Sequence, residues 1–270
     1  MSTILSYIVW NPNPTAFLGI RWYSLCWLIG LFLAYLSARY IYKDQHIKDE
    51  VFDPLFIYCF LGVLIGARLG HCLFYEPAYF LSSPIHFAEM LLPVRFLADG
   101  GIRFTGYEGL SSHGGIIGVI IGLYIYKKRN GLSMWFVLDV LALSAPITGC
   151  LIRLGNLMNS EIIGKVTDVS WAFIFERVDS LPRHPGQLYE AVAYFALFII
   201  GFVLYRRLTS KVGSGFFFGH CMVFVFVFRF LIEFVKADQE VFEADMLFNM
   251  GQLLSIPFII FGIYSMLRKR

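Results

Sequence analysis

The sequence predicts an all-α protein that crosses a membrane about seven times and carries a small extracytoplasmic head. Of its 270 residues, 58% are hydrophobic and only 15% are charged, and the mean hydropathy is +0.67. A soluble domain carries about 25% charged residues, so this composition excludes a soluble globular protein. The apolar residues also gather in stretches near the length that crosses the hydrocarbon core of a bilayer.

Each predicted span is an apolar stretch that ends at a charged or proline-containing segment. Several of them carry glycines four residues apart, which lets neighbouring helices approach closely. These glycines are Gly62, Gly66 and Gly70, then Gly114, Gly118 and Gly122, then Gly215 and Gly219. The seven spans are predicted at 17–42, 52–75, 111–126, 134–155, 187–205, 214–236 and 249–267.

The lysines and arginines predict how these spans are oriented. Twelve of the 22 form four groups, one after every second span, within 39–48, 127–129, 206–211 and 268–270. Short cytoplasmic loops hold the excess of positive charge, so the N-terminus is expected outside and the C-terminus in the cytoplasm. The first charge is Arg21, so no cleavable signal is expected. The net charge of +3 then reflects topology and not nucleic-acid binding.

The outer loops are expected at 76–110, 156–186 and 237–248. The prolines of the first loop flank a run of mixed polarity, which predicts an amphipathic segment at the membrane interface. The second loop contains the apolar run 171–175, which predicts a short strand in a small extracytoplasmic head. The chain has no low-complexity linker, so residues 1–270 are expected to form a single membrane domain.

Three arginines, Arg68, Arg153 and Arg229, lie inside predicted spans. An ionisable side chain near the bilayer centre costs roughly 2.5–3.5 kcal/mol on insertion scales, so such residues usually line a polar cavity or hold a ligand. Three cations that face one cavity would suit an anion. Tyr75, at the outer end of the second span, fits the same cavity.

The richest polar segment is 149–164, where the fourth span reaches the outer face. Arg153 offers a planar fork of donors that matches phosphate oxygens, and Asn156 and Asn159 add neutral hydrogen bonds. Glu161 can orient the arginine or transfer a proton. A simpler interpretation is an Arg153–Glu161 pair that anchors the helix end, but an anchor would not need two asparagines and several glycines.

His113 opens the third span in the run Ser111-Ser112-His113-Gly114-Gly115. Histidine exchanges a proton near neutral pH. The glycines would let a substrate approach the helix N-terminus, whose dipole favours anions. A lone histidine at a helix start is more often a cap or an interface residue, so the spacing leaves both interpretations open.

Two further segments place polar side chains in spans. Arg229 and Glu233 lie one helical turn apart, either as a self-neutralising pair or as part of the anion site. Gln187, Tyr189 and Glu190 begin the fifth span and are expected to point into the bundle.

Taken together, these segments resemble the prolipoprotein diacylglyceryl transferases of bacterial inner membranes, nearly from end to end of the chain. The run from Arg153 to Gly164 is the most specific part of the resemblance. The matching segments are Arg21-Trp22-Tyr23, Gly66–Gly70 through Tyr75, Ser112–Gly115, Arg153–Gly164, His184–Glu190, Arg229–Glu233 and Met250-Gly251-Gln252.

The resemblance implies that a diacylglyceryl group moves from phosphatidylglycerol to the lipobox cysteine of a preprolipoprotein, which forms a thioether and releases glycerol phosphate. Our hypothesis for this reaction is that Arg153 and Arg229 clamp the phosphate with support from Arg68, while His113 or Glu161 helps to deprotonate the thiol. The resemblance and the residue patterns together give the candidate site residues. They are His113, Arg153, Glu161 and Arg229 for catalysis, and Tyr23, Arg68, Tyr75, Gly114, Asn156, Asn159, Gly164, Gln187, Tyr189 and Glu233 for substrate binding.

The resemblance also implies a multi-pass protein of the bacterial inner membrane, with its active site towards the outer face. No metal is expected, because the five cysteines lie singly without ligand spacing. No cofactor and no nucleic-acid partner are expected either. Two features depart from the family pattern: Val225 replaces a common tyrosine, and the segment 99–109 is longer than in some members.

Three alternatives come from other classes of protein. Buried arginines also serve anion transport, but here the polar residues gather towards the outer side, which favours chemistry on an outer-leaflet lipid. A non-catalytic scaffold would tolerate loss of Arg153 and Glu161. An intramembrane protease has less support, because Gly213-Ser214-Gly215 has no evident histidine partner.

Overall fold

The computed structural model describes residues 7–97, 100–106, 109–236 and 248–268. The chain divides into two compact units: the first unit is Met1–Ile41 with Leu138–Arg270, and the second unit is Tyr42–Val137. The outer loop predicted at 237–248 lies outside the described residues, except for its last residue. The long segment 99–109 is described only in part.

Most of the described chain is α-helical. Five helices, α1, α2, α6, α7 and α9, are long and apolar enough to cross a membrane, and α8 is a shorter apolar helix. This confirms a helical multi-pass membrane protein, while the number of seven spans stays a prediction. The helices are α1 Trp22–Asp44, α2 Asp49–Phe74, α3 Pro77–Phe80, α4 Pro84–Leu91, α5 Ser112–Asn130, α6 Met134–Asn159, α7 Gly186–Arg207, α8 Phe216–Ile232 and α9 Met250–Leu267.

Short strands lie between the helices. The strand predicted at 171–175 is confirmed as β6, which pairs in parallel with β1 and antiparallel with β7. Trp10 of β1 packs on Phe173 and donates its Nε1–H to the Leu157 carbonyl at 2.8 Å. This sheet therefore rests on the end of α6. The strands are β1 Ile8–Trp10, β2 Thr15–Phe17, β3 Ile20–Arg21, β4 Val94–Phe96, β5 Ile102–Phe104, β6 Phe173–Phe175 and β7 Pro182–Arg183.

Several helix ends differ from the predicted spans, and three of them bear on the site. Residues 17–21, predicted as helix, belong to the β2–β3 hairpin, in which Leu18 adopts φ 50°. Helix α6 continues beyond residue 155 to Asn159. Helix α8 ends at Ile232, so Lys236, predicted to lie in the span, follows it in a turn. At residues 17–21 the hairpin pairing takes the place of helical hydrogen bonds, and after α8 Lys165 donates its N–H to the Val235 carbonyl at 2.8 Å. Apolar patterning reveals neither contact.

Glycine faces bring α2 and α5 of the second unit together, as predicted. A Cβ atom on Gly62 would lie 2.6 Å from the Gly118 carbonyl oxygen. One on Gly66 would lie 2.7 Å from the Gly118 Cα, and one on Gly70 would lie 2.7 Å from the Gly114 Cα. Any larger side chain would push the two backbones apart, so this seam depends on glycine.

In the first unit, Asp139 of α6 fixes the start of α8. Its buried carboxylate accepts hydrogen bonds from the backbone N–H groups of Gly213, Gly215 and Phe218 at 2.9, 3.0 and 2.8 Å. The first N–H groups of a helix lack partners within the helix, and a carboxylate also suits the positive end of the helix dipole. Asp139 therefore ties α8 to α6.

The glycine seam predicts a loss of stability for Gly118→Ala. The new Cβ would lie 2.8 Å from the Gly66 Cα, so α2 and α5 would have to separate. Overpacking of this kind costs about 1–3 kcal/mol. We expect a lower midpoint of thermal unfolding in detergent. The control is Gly115→Ala, whose Cβ would lie 3.6 Å from the Ala67 Cβ, and which should unfold no earlier than wild type. Equal midpoints for the two variants would contradict the seam.

Candidate active site

Five charged side chains of the first unit form one continuous chain of ion pairs, here called the ion network: Arg153, Glu190, Lys236, Glu233 and Arg229. Arg153 Nε lies 3.0 Å from Glu190 Oε2. Lys236 Nζ lies 3.9 Å from Glu190 Oε1 and 3.5 Å from Glu233 Oε1. Arg229 Nη2 lies 3.8 Å from Glu233 Oε1, as the turn spacing predicted. With every group ionised, the ion network holds three positive and two negative charges.

The ion network is buried at its centre and accessible at its ends. The side chains of Glu190, Lys236 and Glu233 are 2%, 4% and 7% exposed. Those of Arg153 and Arg229 are 17% and 39% exposed. A buried charge is stable only when it is paired with an opposite charge. Positive and negative side chains alternate along the ion network, so each buried charge has such a partner. An anion can therefore reach the network through its two guanidinium groups.

Helices α6 and α7 run antiparallel with matched polar faces. A Cβ on Gly149 would lie 3.2 Å from the Tyr194 ring, and Arg153, one turn further along α6, pairs with Glu190 of α7. Glu190 comes from the segment that the sequence predicted to point into the bundle, and it is 1% exposed. The register of the two helices thus places a carboxylate opposite the intramembrane arginine.

Asn156 and Gln187 lie one turn beyond the Arg153–Glu190 pair, on α6 and α7 respectively. Both are buried, at 5% and 0% exposure. Within the described part of the chain, Asn156 Oδ1 and both amide atoms of Gln187 have no hydrogen-bond partner. Gln187 points inward, as predicted, and the end of this helix pair at Asn156 and Gln187 is polar.

Glu161 binds the two asparagines of α6. Asn156 Nδ2 donates to Glu161 Oε2 at 3.0 Å, and Asn159 Nδ2 donates to Glu161 Oε1 at 3.2 Å. The ion-pair partner of Arg153 is Glu190 instead. The simpler interpretation of an Arg153–Glu161 anchor is therefore wrong, because α6 continues to Asn159 and holds Glu161 on its own amides.

The chain is strained directly after Glu161. Ile162 adopts φ 58°, a left-handed conformation that a β-branched residue rarely takes. Two residues later, a Cβ on Gly164 would lie 2.6 Å from both the Val235 carbonyl oxygen and the His184 Cβ. Gly164 also donates its N–H to the His184 carbonyl at 2.9 Å. Only glycine fits here, because three chain segments meet beside the ion network.

The start of α9 supports Glu233. Asn249 and Gln252 form a capping box, with N–H to side-chain oxygen distances of 2.9 and 3.1 Å. The Asn249 amide also donates to Glu233 Oε2 at 3.1 Å. A Cβ on Gly251 would lie 2.9 Å from the Glu233 carboxyl carbon. The small side of Gly251 therefore lets the start of α9 pack directly against the Glu233 carboxylate.

Tyr23 and Tyr189, both predicted to bind substrate, lie in the first turns of α1 and α7 in the first unit. A Cβ on Gly155 would lie 3.0 Å from the Tyr23 ring, so Tyr23 packs on the last turns of α6. The Tyr189 hydroxyl accepts the Trp171 Nε1–H at 2.8 Å and lies 3.1 Å from His184 Nδ1. Burial lowers the pKa of His184. The Tyr189 hydroxyl is thus engaged by the head segment.

Arg68 lies in the second unit and is 8% exposed. Its guanidinium donates to the carbonyls of Glu89 and Met90 at 2.9 and 3.2 Å, and it lies 5.0 Å from the centre of the Phe80 ring. These carbonyls belong to the last turn of α4, where backbone carbonyls lack partners within the helix. A cationic side chain can donate the missing hydrogen bonds. The fold therefore accounts for this buried arginine, and its role at a phosphate stays a prediction.

His113 lies at the start of α5 and Tyr75 directly after the end of α2, both in the second unit. His113 is exposed, and the cap of α5 is Ser111, whose Oγ accepts the Gly114 N–H at 3.3 Å. Tyr75 is 63% exposed and stacks on His71. The structure thus assigns capping to Ser111 and leaves the His113 side chain accessible.

Arg183 belongs to the head segment and not to the ion network. It donates hydrogen bonds to the Asp179 carboxylate, and these lower the pKa of Asp179. Its Nη1 also lies 3.4 Å from the Gly164 carbonyl oxygen. Arg183 therefore links the Asp179 carboxylate to the backbone at Gly164.

Sequence reasoning missed two contributors, Lys236 and Asn249. Lys236 follows Glu233 by three residues, a spacing typical of ion pairs on a helix. The sequence carries that signal, but Lys236 falls inside the stretch 214–236 that apolar patterning predicts as a span. Asn249 begins the pattern Asn-x-x-Gln, which is typical of a helix start. Its donation to Glu233 has no sequence signal, because it joins two helices.

The chemistry available at the ion network is that of guanidinium groups. Within the described ranges, no group of three or more His, Cys, Asp or Glu side chains is arranged to hold a metal ion. A guanidinium pairs two planar donors with two phosphate oxygens. Donors fixed in this way stabilise negative charge as it develops on a leaving group.

Comparison with known proteins identifies the family. A family model described as prolipoprotein diacylglyceryl transferase matches residues 14–268. A phosphatidylglycerol–prolipoprotein diacylglyceryl transferase of Bacteroides fragilis is 57% identical over 270 residues, which cover 98% of this chain and 96% of the relative. A protein of the same name from Tolumonas auensis is 41% identical, with 96% of this chain and 96% of the relative covered. Another, from Porphyromonas gingivalis, is 37% identical, with 98% of this chain and 96% of the relative covered. The chain belongs to the prolipoprotein diacylglyceryl transferase family.

Proposed function

We propose that this chain transfers the diacylglyceryl group of phosphatidylglycerol to the lipobox cysteine of a preprolipoprotein. Membership of the family supports the reaction, and the names of the relatives supply phosphatidylglycerol and prolipoprotein. The single observation that carries our assignment of roles is the ion network. It offers two accessible guanidinium groups, Arg153 and Arg229, whose positions are fixed by a buried centre.

The reaction replaces one bond with another at a glyceryl carbon. The cysteine sulfur forms a C–S bond to that carbon, the C–O bond to phosphate breaks, and glycerol phosphate leaves with the bonding electrons. The thiol proton must pass to a base. Negative charge grows on the phosphate, where fixed cations stabilise it. We assign this role to Arg153 and Arg229, with Asn156, Gln187, Tyr23 and Glu233 around them.

The base that takes the thiol proton is assigned to His113. Both oxygens of Glu161 already accept hydrogen bonds from asparagine amides, which hold this carboxylate in place. The His113 side chain is accessible instead. Histidine also exchanges protons near neutral pH, where a thiol with a pKa near 8.5 needs only modest help. We assign to Glu161 the positioning of Asn156 and Asn159.

We also propose seven spans, with the N-terminus outside and the C-terminus in the cytoplasm of a bacterial cell, and an active site towards the outer face of the inner membrane. Basic residues in the last turns of α1, α5 and α7 support this orientation. Residues 76–110 would lie at the outer interface and residues 156–186 would form the head of a single membrane domain, 1–270.

The role of Arg153 predicts the outcome of a transfer assay. Purified protein is incubated with phosphatidylglycerol labelled in its diacylglyceryl group and with a lipobox peptide. We expect Arg153→Ala to lower the transfer rate by about 10²–10³-fold, because a fixed donor to the developing charge is lost. The matched control is Arg207→Ala, which removes an exposed arginine from the last turn of α7, at the end away from Glu190. This variant should keep the wild-type rate. A cysteine-to-alanine peptide should take no label.

Absence of transfer by well-folded wild type would contradict the proposed reaction. Transfer by wild type and by Arg153→Ala at equal rates would leave the reaction in place but contradict the role of the arginine.

The role of His113 predicts how the rate depends on pH. We expect His113→Gln to lower transfer at pH 7 by about 10²-fold or more, because a general base is removed. Raising the pH to 9 should restore a large part of this loss, because most of a thiol with a pKa near 8.5 is then ionised without a base. Glu161→Gln should show no such rescue. Rescue of Glu161→Gln and not of His113→Gln would reverse the assignment.

A further inference from the structure

We propose that Lys236 is a positioning residue that sets the placement of both phosphate-binding arginines. This inference rests on the proposed function, because it concerns how Arg153 and Arg229 are held for the phosphate. Lys236 acts through Glu190 and Glu233 and does not itself contact the lipid.

The burial of Lys236 supports this role. Its side chain is 4% exposed, and its ammonium lies between two carboxylates, 3.9 Å from Glu190 and 3.5 Å from Glu233. Each of these carboxylates also pairs with one arginine, Arg153 or Arg229. Lys236 therefore joins the Arg153–Glu190 pair to the Arg229–Glu233 pair.

The backbone fixes Lys236 from a second direction. Lys236 forms an antiparallel bridge with Gly164, and Lys165 donates its N–H to the Val235 carbonyl at 2.8 Å. The stem of Lys236 then passes the start of α7, where a Cβ on Gly186 would lie 3.7 Å from its Cγ. The ammonium therefore reaches Glu190, one turn into α7, along a short and crowded path.

Removal of the ammonium would change where the arginines point. Glu190 and Glu233 would each lose a partner in a buried region, where an uncompensated charge is costly. Each carboxylate would then draw its remaining arginine inward, and fewer guanidinium donors would face the lipid. The effect should be larger at Arg229, because its contact with Glu233 is longer, at 3.8 Å, than the 3.0 Å contact between Arg153 and Glu190.

The test compares three variants by steady-state transfer, with the mole fraction of phosphatidylglycerol varied in phosphatidylcholine vesicles. Lys236→Met removes the charge and keeps the length of the stem, and Lys236→Arg keeps the charge. Lys211→Met removes one exposed lysine from the same unit as a matched control.

We expect Lys236→Met to raise the KM for phosphatidylglycerol about tenfold, because misplaced arginines bind the phosphate less well. Lys236→Arg should bring the KM back to within about threefold of wild type. Lys211→Met should leave both KM and kcat unchanged.

A structural role alone would give a different pattern. It would lower the thermal midpoint and the maximal rate of Lys236→Met through loss of folded protein, with the KM unchanged, and that result would overturn the inference. An equal rise of KM in Lys236→Arg would overturn it as well. A wild-type protein that transfers no label would mark the failure of the proposed function instead, so the two failures are distinguishable.

Discussion

The pairing of buried charge inside the membrane is the constraint on which the first unit depends. Arg153 and Arg229 lie on largely apolar helices, where a charge without a partner is costly. They are retained because Glu190 and Glu233 partner them and Lys236 joins the two carboxylates. The charges alternate in sign along the network, so its centre is compensated while the guanidinium ends keep donors for a phosphate.

Much of the surrounding architecture brings these five side chains together. Gly164 lets the segments that follow α6 and α8 meet the segment that precedes α7, and Gly251 lets α9 reach Glu233. Asp139 fixes the start of the helix that carries Arg229. Small residues and backbone caps thus decide where the charged groups lie. Ile162, in its left-handed conformation, lies beside this junction. Backbone strain of this kind is typical of functional sites, where the surrounding structure fixes the position of each residue.

The sequence predicts the helices and the glycine seam well, because both follow from periodic patterns that each stretch carries by itself. It also predicts the pairing of Arg229 with Glu233, which depends on helical spacing. It does not predict that Glu190 partners Arg153, because that contact depends on the register of two helices separated by the head. The capping of α4 by Arg68 is hidden for the same reason, and intramembrane position alone suggested a ligand site there.

In the proposed mechanism, Arg153 and Arg229 act as one unit because they share an ion network. The most direct measurement is a double-mutant cycle on the transfer rate, with Arg153→Lys, Arg229→Lys and the double variant, each of which keeps its positive charge. A shared network predicts a coupling free energy of about 1 kcal/mol or more, so that the double variant loses less than the product of the single losses. Single losses that multiply without coupling would contradict a shared network and leave two independent arginines.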